Sequence, residues 1–208
     1  PPRSSSAASD VYKRQTITAG SGAVAVGRIG GSSVVTNGAG DGIKTVAITS
    51  STGITLSGDI TTANAASTTT FTGPVVISGD VEIDTNTDGT DGTLEFTSTI
   101  RGTDNTANNS SKLELDTGTG AITFNASTII GGATKPLDTL LINTSDSDEA
   151  LTIPEIGSGT DAGVLGLVTI GNTAATPSIS MRDALYNFGT GNVTLNTVAT
   201  GTTTFAKT

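Results

Sequence analysis

The sequence predicts an all-β protein, a right-handed parallel β-helix (a β-solenoid) of degenerate repeats of about 30 residues. Three observations predict this fold. Apolar and polar residues alternate over short spans, which is the period of a strand and not of a helix. Thr, Gly, Ser and Asn make up 101 of the 208 residues, a composition that suits strands joined by tight turns. A glycine followed by alternating apolar residues recurs along the chain, as in stacked repeats.

The first fifteen residues, PPRSSSAASDVYKRQ, differ in character from the rest. The stretch Ser5 to Gln15 resembles one reading frame of a sequencing adapter. We therefore expect residues 1–15 to be a non-native, disordered segment, and residues 16–208 to be a β-strand repeat region from a longer chain. Without residues 1–15, which carry three basic residues and one acidic residue, the formal charge changes from −9 to −11.

Short strands are predicted throughout the repeat region, because Thr, Val and Ile suit a pleated surface and Gly, Asn, Asp and Ser suit turns. The alternating apolar residues that predict them are Val24/Val26, Val46/Ile48, Ile54/Leu56, Val75/Ile77, Val81/Ile83, Leu94/Phe96, Leu113/Leu115, Ile122/Phe124, Leu140/Ile142, Leu151/Ile153, Val193/Leu195 and Thr203/Phe205. The best helical candidate is 181–188, which amounts to one or two turns of helix.

The recurring glycine pattern indicates the length of the repeat. Its copies begin at Gly22, Gly53, Gly92, Gly120 and Gly191, and the interval before the last copy is much the longest. We expect one supersecondary unit of about thirty residues, stacked many times, with a less regular part at 131–190.

The phenylalanines follow the same repeat. Phe71, Phe96 and Phe124 recur at intervals close to the length of one repeat. In a solenoid, Phe96 and Phe124 should lie on adjacent coils, on the same inward face and on parallel strands. The alternative fold is a series of stacked antiparallel β-sandwich repeats, which would be favoured if the two Phe lay on opposite faces or on antiparallel neighbours.

Composition excludes several kinds of chemistry. The chain has no Cys, His or Trp and one Met, so disulfides, cysteine nucleophiles, His-based triads and Cys/His zinc sites are ruled out. Its negative charge disfavours nucleic acid and anionic membranes as partners. No apolar run is long enough for a transmembrane helix.

Three strings carry a resemblance: GDGIKTVAITSSTGITLSGDITT, TFTGPVVISGDVEIDTNTDGTDGTLEFTSTIRG, and KLELDTGTGAITFNAS followed by IGGATKPLDTLLINTS. They resemble the β-strand repeats of large bacterial filamentous-haemagglutinin-like and autotransporter-passenger adhesins over roughly residues 20–155. The resemblance implies a solenoid shaft, export to the extracellular space or the cell surface (outer membrane-associated), and a role in attachment. It implies no catalytic residue.

One stretch resembles a calcium loop of the form D-x-[DN]-x-[DN]-G-x5-E. The oxygen-bearing residues of this candidate metal site are Asp84, Asn86, Asp88, Asp91 and Glu95. The flanking residues read as strands and not as the helices of an EF-hand. A plain turn without metal is the alternative interpretation. No cofactor is required, and calcium is the one candidate ion.

A second acidic cluster, Asp146-Ser-Asp148-Glu149, admits two interpretations. It is half of a carboxylate pair if the chain is a β-helix enzyme that acts on polysaccharides, and a solvated loop otherwise. We expect no enzymatic activity, because aromatic and basic residues that grip a sugar are scarce. Carboxylates lining a cleft on one sheet would favour the enzyme.

The sequence thus predicts a structural repeat segment of a secreted or cell-surface bacterial adhesin-like protein. Its expected partners are host or environmental surface glycans or proteins, or further copies of itself. A surface-layer or biofilm matrix component is the alternative, and calcium-dependent self-assembly would mark it. A polysaccharide-acting enzyme is the remaining alternative.

Overall fold

The chain is a right-handed parallel β-solenoid of about six turns, without a helix among the described residues, in a computed structural model. The structure describes residues 14–30, 43–62, 67–86, 91–103, 110–132, 135–145, 149–183 and 185–205. The predicted fold class is confirmed.

The strands form three faces, which the chain visits in the same order in each coil. Face 1 consists of β1 (Arg14–Thr18), β3 (Thr45–Thr49), β6 (Thr68–Thr72), β9 (Thr93–Phe96), β12 (Ile122–Phe124), β15 (Leu151–Ile153), β18 (Ser178–Met181) and β20 (Thr202–Phe205). Face 2 consists of β2 (Val24–Val26), β4 (Ile54–Leu56), β7 (Val75–Ile77), β10 (Ile100–Arg101), β13 (Ile129–Ile130) and β16 (Glu155–Ile156). Face 3 consists of β5 (Ile60–Thr61), β8 (Asp80–Asp84), β11 (Lys112–Asp116), β14 (Thr139–Ile142), β17 (Val168–Ile170) and β19 (Val193–Leu195). We number the coils so that β6–β8 form coil 3, β9–β11 coil 4, β12–β14 coil 5 and β15–β17 coil 6.

Strands on neighbouring coils pair in parallel, and the length of chain in a coil varies. Thr45 pairs with Thr68 on face 1, whereas on face 3 Val81 pairs with Leu113, which lies farther along the chain from its partner. The strands keep their register because loops at the corners absorb the difference in length. Parallel pairing between coils excludes the antiparallel sandwich.

The core consists of the inward residues that the alternation predicts. Phe71, Phe96 and Phe124 form a stack in which the ring centroids of neighbours lie 5.2 Å and 5.8 Å apart and the rings are nearly parallel. Phe96 pairs with both of the others in parallel register. The prediction for Phe96 and Phe124 is therefore confirmed.

The glycine pattern does not mark one equivalent position in each repeat. Gly22 and Gly53 precede strands of face 2, Gly92 and Gly120 precede strands of face 1, and Gly191 precedes β19 of face 3. The interval from Gly92 to Gly120 equals a coil length, because Leu94 pairs with Ile122, and the interval from Gly22 to Gly53 differs from one by a single residue, because Val24 pairs with Ile54. The intervals from Gly53 to Gly92 and from Gly120 to Gly191 join strands of different faces.

The helical candidate at 181–188 is wrong where the structure describes it. Met181 ends β18, and Tyr186 and Phe188 form isolated parallel bridges with Ile156 and Val164 of coil 6. This part of the chain continues the stack of coils, because its apolar side chains pack against the core.

Of the segment 1–15, residues 1–13 lie outside the described residues. Arg14 and Gln15 belong to β1, where they pair with Thr45 and Val46 and are exposed.

Face 1 is interrupted once, between β12 and β15, which lie side by side without forming one hydrogen-bonded sheet. The guanidinium group of Arg182 spans this gap. It donates to the carbonyl oxygens of Phe124 and Asn125 at 2.8 and 3.2 Å, while its own backbone N–H donates to Ile153 at 3.1 Å. The interruption falls beside the part of the chain that was predicted to be less regular.

Candidate functional site

Three of the residues in the calcium motif lie together at the corner after β8. The backbone N–H of Asn86 donates to Oδ1 of Asp84 at 2.8 Å, which closes a tight turn at the end of the strand. Asn86 and Asp91 both approach Gly118 of the next coil. A Cβ at Gly118 would overlap Oδ1 of Asp91 and lie 2.7 Å from Cγ of Asn86, so glycine lets the two coils close on each other.

The other two residues of the motif are placed differently. Asp88 lies outside the described residues. Glu95 belongs to β9 on face 1, where its strand partners are Thr70 and Thr123, whereas Asp84 ends β8 on face 3. The structure therefore does not bring Glu95 to the corner of Asp84 and Asp91.

The next coil adds a carboxylate to this corner. Asp116 pairs with Asp84 in the parallel ladder. Its Oδ1 accepts the Gly118 N–H at 3.2 Å, and its Oδ2 accepts the hydroxyl of Ser145. The hydroxyl of Thr119 donates in the same way to Oδ2 of Asp91. These carboxylates hold the corner by accepting hydrogen bonds from neighbouring N–H and O–H groups. Among the described residues, no group of three or more Asp, Glu, His or Cys is arranged to hold a metal ion.

A ladder of acidic side chains covers the outward surface of face 3 in coils 3 and 4. Glu82 pairs with Glu114 in the same register that pairs Asp84 with Asp116. Oδ1 of Asp59 accepts the Glu82 backbone N–H at 3.0 Å, which adds a carboxylate from coil 2. Like charges directly opposite each other on a sheet repel.

The electrostatics of this ladder raise the pKa of Glu82. Partial burial of the side chain is the largest cause, and the charges of Glu114, Asp84, Asp59 and Asp116 add to it.

One cation offsets part of this charge. Nζ of Lys112 lies 2.8 Å from Oε2 of Glu114, and this contact is the main reason why the pKa of Lys112 is raised. Glu114 is thus ion-paired. Glu82 lies beside it with no ion pair of its own among the described residues.

The sequence contains a signal for the acidic ladder outside the calcium motif. DVEID in β8 and KLELD in β11 both alternate charged residues, mostly acids, with aliphatic residues. Matching the two strings predicts stacked strands with stacked carboxylates. Of the cluster 146–149, residues 146–148 lie outside the described residues, and Glu149 precedes β15.

Face 1 presents hydroxyl groups in rows that run from coil to coil. Thr45, Thr68 and Thr93 are consecutive partners in one row, and Thr49 pairs with Thr72 in another. Their side chains alternate with the buried residues of each strand and point outward. Neighbours in a row are about 4.8 Å apart, the spacing of strands in a sheet.

No protein-family model, no curated protein and no solved structure matches this chain. Within the part of the chain that the structure describes, no helix has the length and apolar character needed to cross a membrane.

Proposed function

We propose that this chain is a shaft segment of a secreted or cell-surface bacterial adhesin-like protein, with a mechanical role and no catalytic one. The observation that carries the proposal is the continuous apolar core, in which each coil rests on the one before it. Such a stack lengthens by about 4.8 Å with every coil. A chain of many repeats with similar composition therefore forms a long rod.

The exterior supports the same role. Rows of hydroxyls on face 1 and carboxylates on face 3 give the rod a polar surface. These groups keep it soluble although charged residues are only 14% of the chain. Repeated rows of identical groups also suit weak contacts with surface glycans or proteins, which add up to useful avidity when many act together.

Adhesion of beads tests this proposal. Beads that carry the folded chain at high density are expected to adhere to a polysaccharide or protein film more strongly than beads that carry an unrelated soluble protein of similar negative charge. Dilution of the chain on the bead should weaken adhesion more than proportionally, as multivalent contact requires. Equal adhesion of both bead types would contradict the proposal.

A matrix component is the second candidate, favoured by the acidic corner of Asp84, Asn86 and Asp91. Millimolar calcium is expected to raise the melting temperature of the wild-type chain by mass action on the folded state, and not that of Asp84→Ala/Asp91→Ala. Light scattering on the same samples reports calcium-dependent self-assembly. An equal shift in both proteins, or none in either, identifies the corner as a plain turn.

A polysaccharide-acting enzyme is the third candidate, because the carboxylates of Glu82 and Glu114 are neighbours on one sheet. These carboxylates lie on the outward surface of face 3. They do not line the cavity of Arg101 and Gly132, which lies on face 2. Incubation with a panel of acidic and neutral polysaccharides, followed by measurement of new reducing ends, tests for cleavage of a polysaccharide. Release that Glu82→Gln abolishes would establish an enzyme and overturn the mechanical role.

A further inference from the structure

Face 2 carries a cavity of about 230 Å³ that spans three coils. Residues of β10 in coil 4, of β13 and the following corner in coil 5, and of the corner after β16 in coil 6 line it. They are Thr99, Ile100, Arg101, Ile129, Gly131, Gly132 and Ser158.

The absence of a side chain at Gly132, in the corner after β13, contributes to this space. Ile100 pairs with Ile130, so Gly131 is the neighbour of Arg101 in the ladder. A Cβ at Gly132 would lie 3.4 Å from Oγ of Ser158 and 3.7 Å from Cγ2 of Ile129. A side chain at position 132 would therefore extend beside Ser158 and Ile129, which line the cavity, and glycine leaves this part of the cavity unfilled.

Arg101 is the charged residue of the cavity, and its charge is not compensated by the described residues around it. The side chain is half-buried, and its Nε is shielded from solvent without a hydrogen-bond partner in the described part of the chain. The ion pairs seen there are Lys112–Glu114 and Arg182–Asp183, neither of which involves Arg101. A guanidinium group stays charged at every relevant pH, and a partly buried cation without a counterion is unfavourable.

We propose that this cavity is a binding site for a small aliphatic carboxylate. The carboxylate binds the terminal nitrogens of Arg101, the geometry that a planar guanidinium group favours. The aliphatic part lies against Ile129 above the glycine corner. The volume of about 230 Å³ is several times the roughly 30 Å³ that a water molecule takes up in the liquid, so the cavity has room for a small organic ligand such as a short-chain carboxylate. This site is independent of the proposed shaft function, since a shaft with or without it would stack in the same way.

Titration of the full ¹⁵N-labelled chain with sodium butyrate at constant ionic strength tests the proposal. We expect butyrate to shift the backbone amide signals of residues 99–101 and 129–132. Butyramide, which has the same shape without the charge, should bind at least about tenfold more weakly, as expected for the loss of a charge-assisted hydrogen bond.

Two variants complete the test. Arg101→Gln should weaken butyrate binding about tenfold or more, while Arg28→Gln, which removes an exposed cation on an earlier coil, should leave it unchanged. The signals of wild-type protein locate the site even if Arg101→Gln folds poorly. Butyramide binding as tightly as butyrate, equal losses in both variants, or signal shifts confined to other coils would each overturn the proposal.

Discussion

Truncation of the central ring of the aromatic stack tests how the coils are held together. Phe96 is fully buried, and its ring lies between Phe71 and Phe124 at centroid distances of 5.2 and 5.8 Å. Phe→Ala in a core costs about 3–5 kcal/mol through lost burial and the cavity left behind. Each aromatic pair contributes about 0.5–1.5 kcal/mol beyond its buried area. Because Phe96→Ala removes two such pairs, we expect its cost at the upper end of the range, about 5 kcal/mol.

Two variants give the scale of this effect. Phe124→Ala removes one stacked pair at a position that is 5% exposed, so its cost should be about 1 kcal/mol lower than that of Phe96→Ala. Phe205→Ala removes a ring that is 62% exposed in β20 and should cost less than about 0.5 kcal/mol.

Urea denaturation followed by circular dichroism measures the three free energies of unfolding, and hydrogen exchange shows where protection is lost. In a repeat protein each coil is stabilised by its neighbours, so Phe96→Ala should weaken protection most in coils 3 to 5. Equal costs for Phe96→Ala and Phe205→Ala would refute a core that depends on this stack. Loss of protection centred away from those coils would refute the register.

The other predictions concern charge and backbone conformation. The pKa of Glu82 is raised in the folded state, so the folded protein favours the protonated side chain. The resulting contribution to the free energy of unfolding is present below the ordinary carboxylate pKa and is lost as the pH rises through the folded-state pKa. Glu82→Gln should therefore unfold at higher urea than wild type at pH 7 and not at pH 4, whereas a gain at both pH values would point to packing instead. Gly131→Ala and Gly159→Ala both place a side chain at positive φ, 59° and 56°, but only the first also overlaps a backbone carbonyl of the next coil, that of Gly163. The melting temperature should fall in both and further in Gly131→Ala, and equal falls would show that φ strain alone sets the cost.

Local sequence determined the strands and their inward sides. The alternation in VEI of β8 and LEL of β11 fixes which side chains are buried, because a strand has a period of two whatever its partner is. The spacing between Phe96 and Phe124 in the sequence was also sufficient to place one ring on the other. These features depend on residues close in sequence, or on one spacing that equals a coil length.

The tertiary structure decided which residues share a face. Glu95 follows Asp91 closely in sequence, yet it lies in β9 on face 1, beyond the corner that holds Asp91, while Asp116 comes from the next coil to pair with Asp84. Coil lengths range widely because loops at the corners vary, so sequence spacing alone does not assign neighbours. The cavity of Arg101 shows the same limit, since Gly132 and Ser158 reach it from the next two coils. Alternation is a property of each strand, whereas a site on a solenoid depends on how far the chain travels before it returns to the same face.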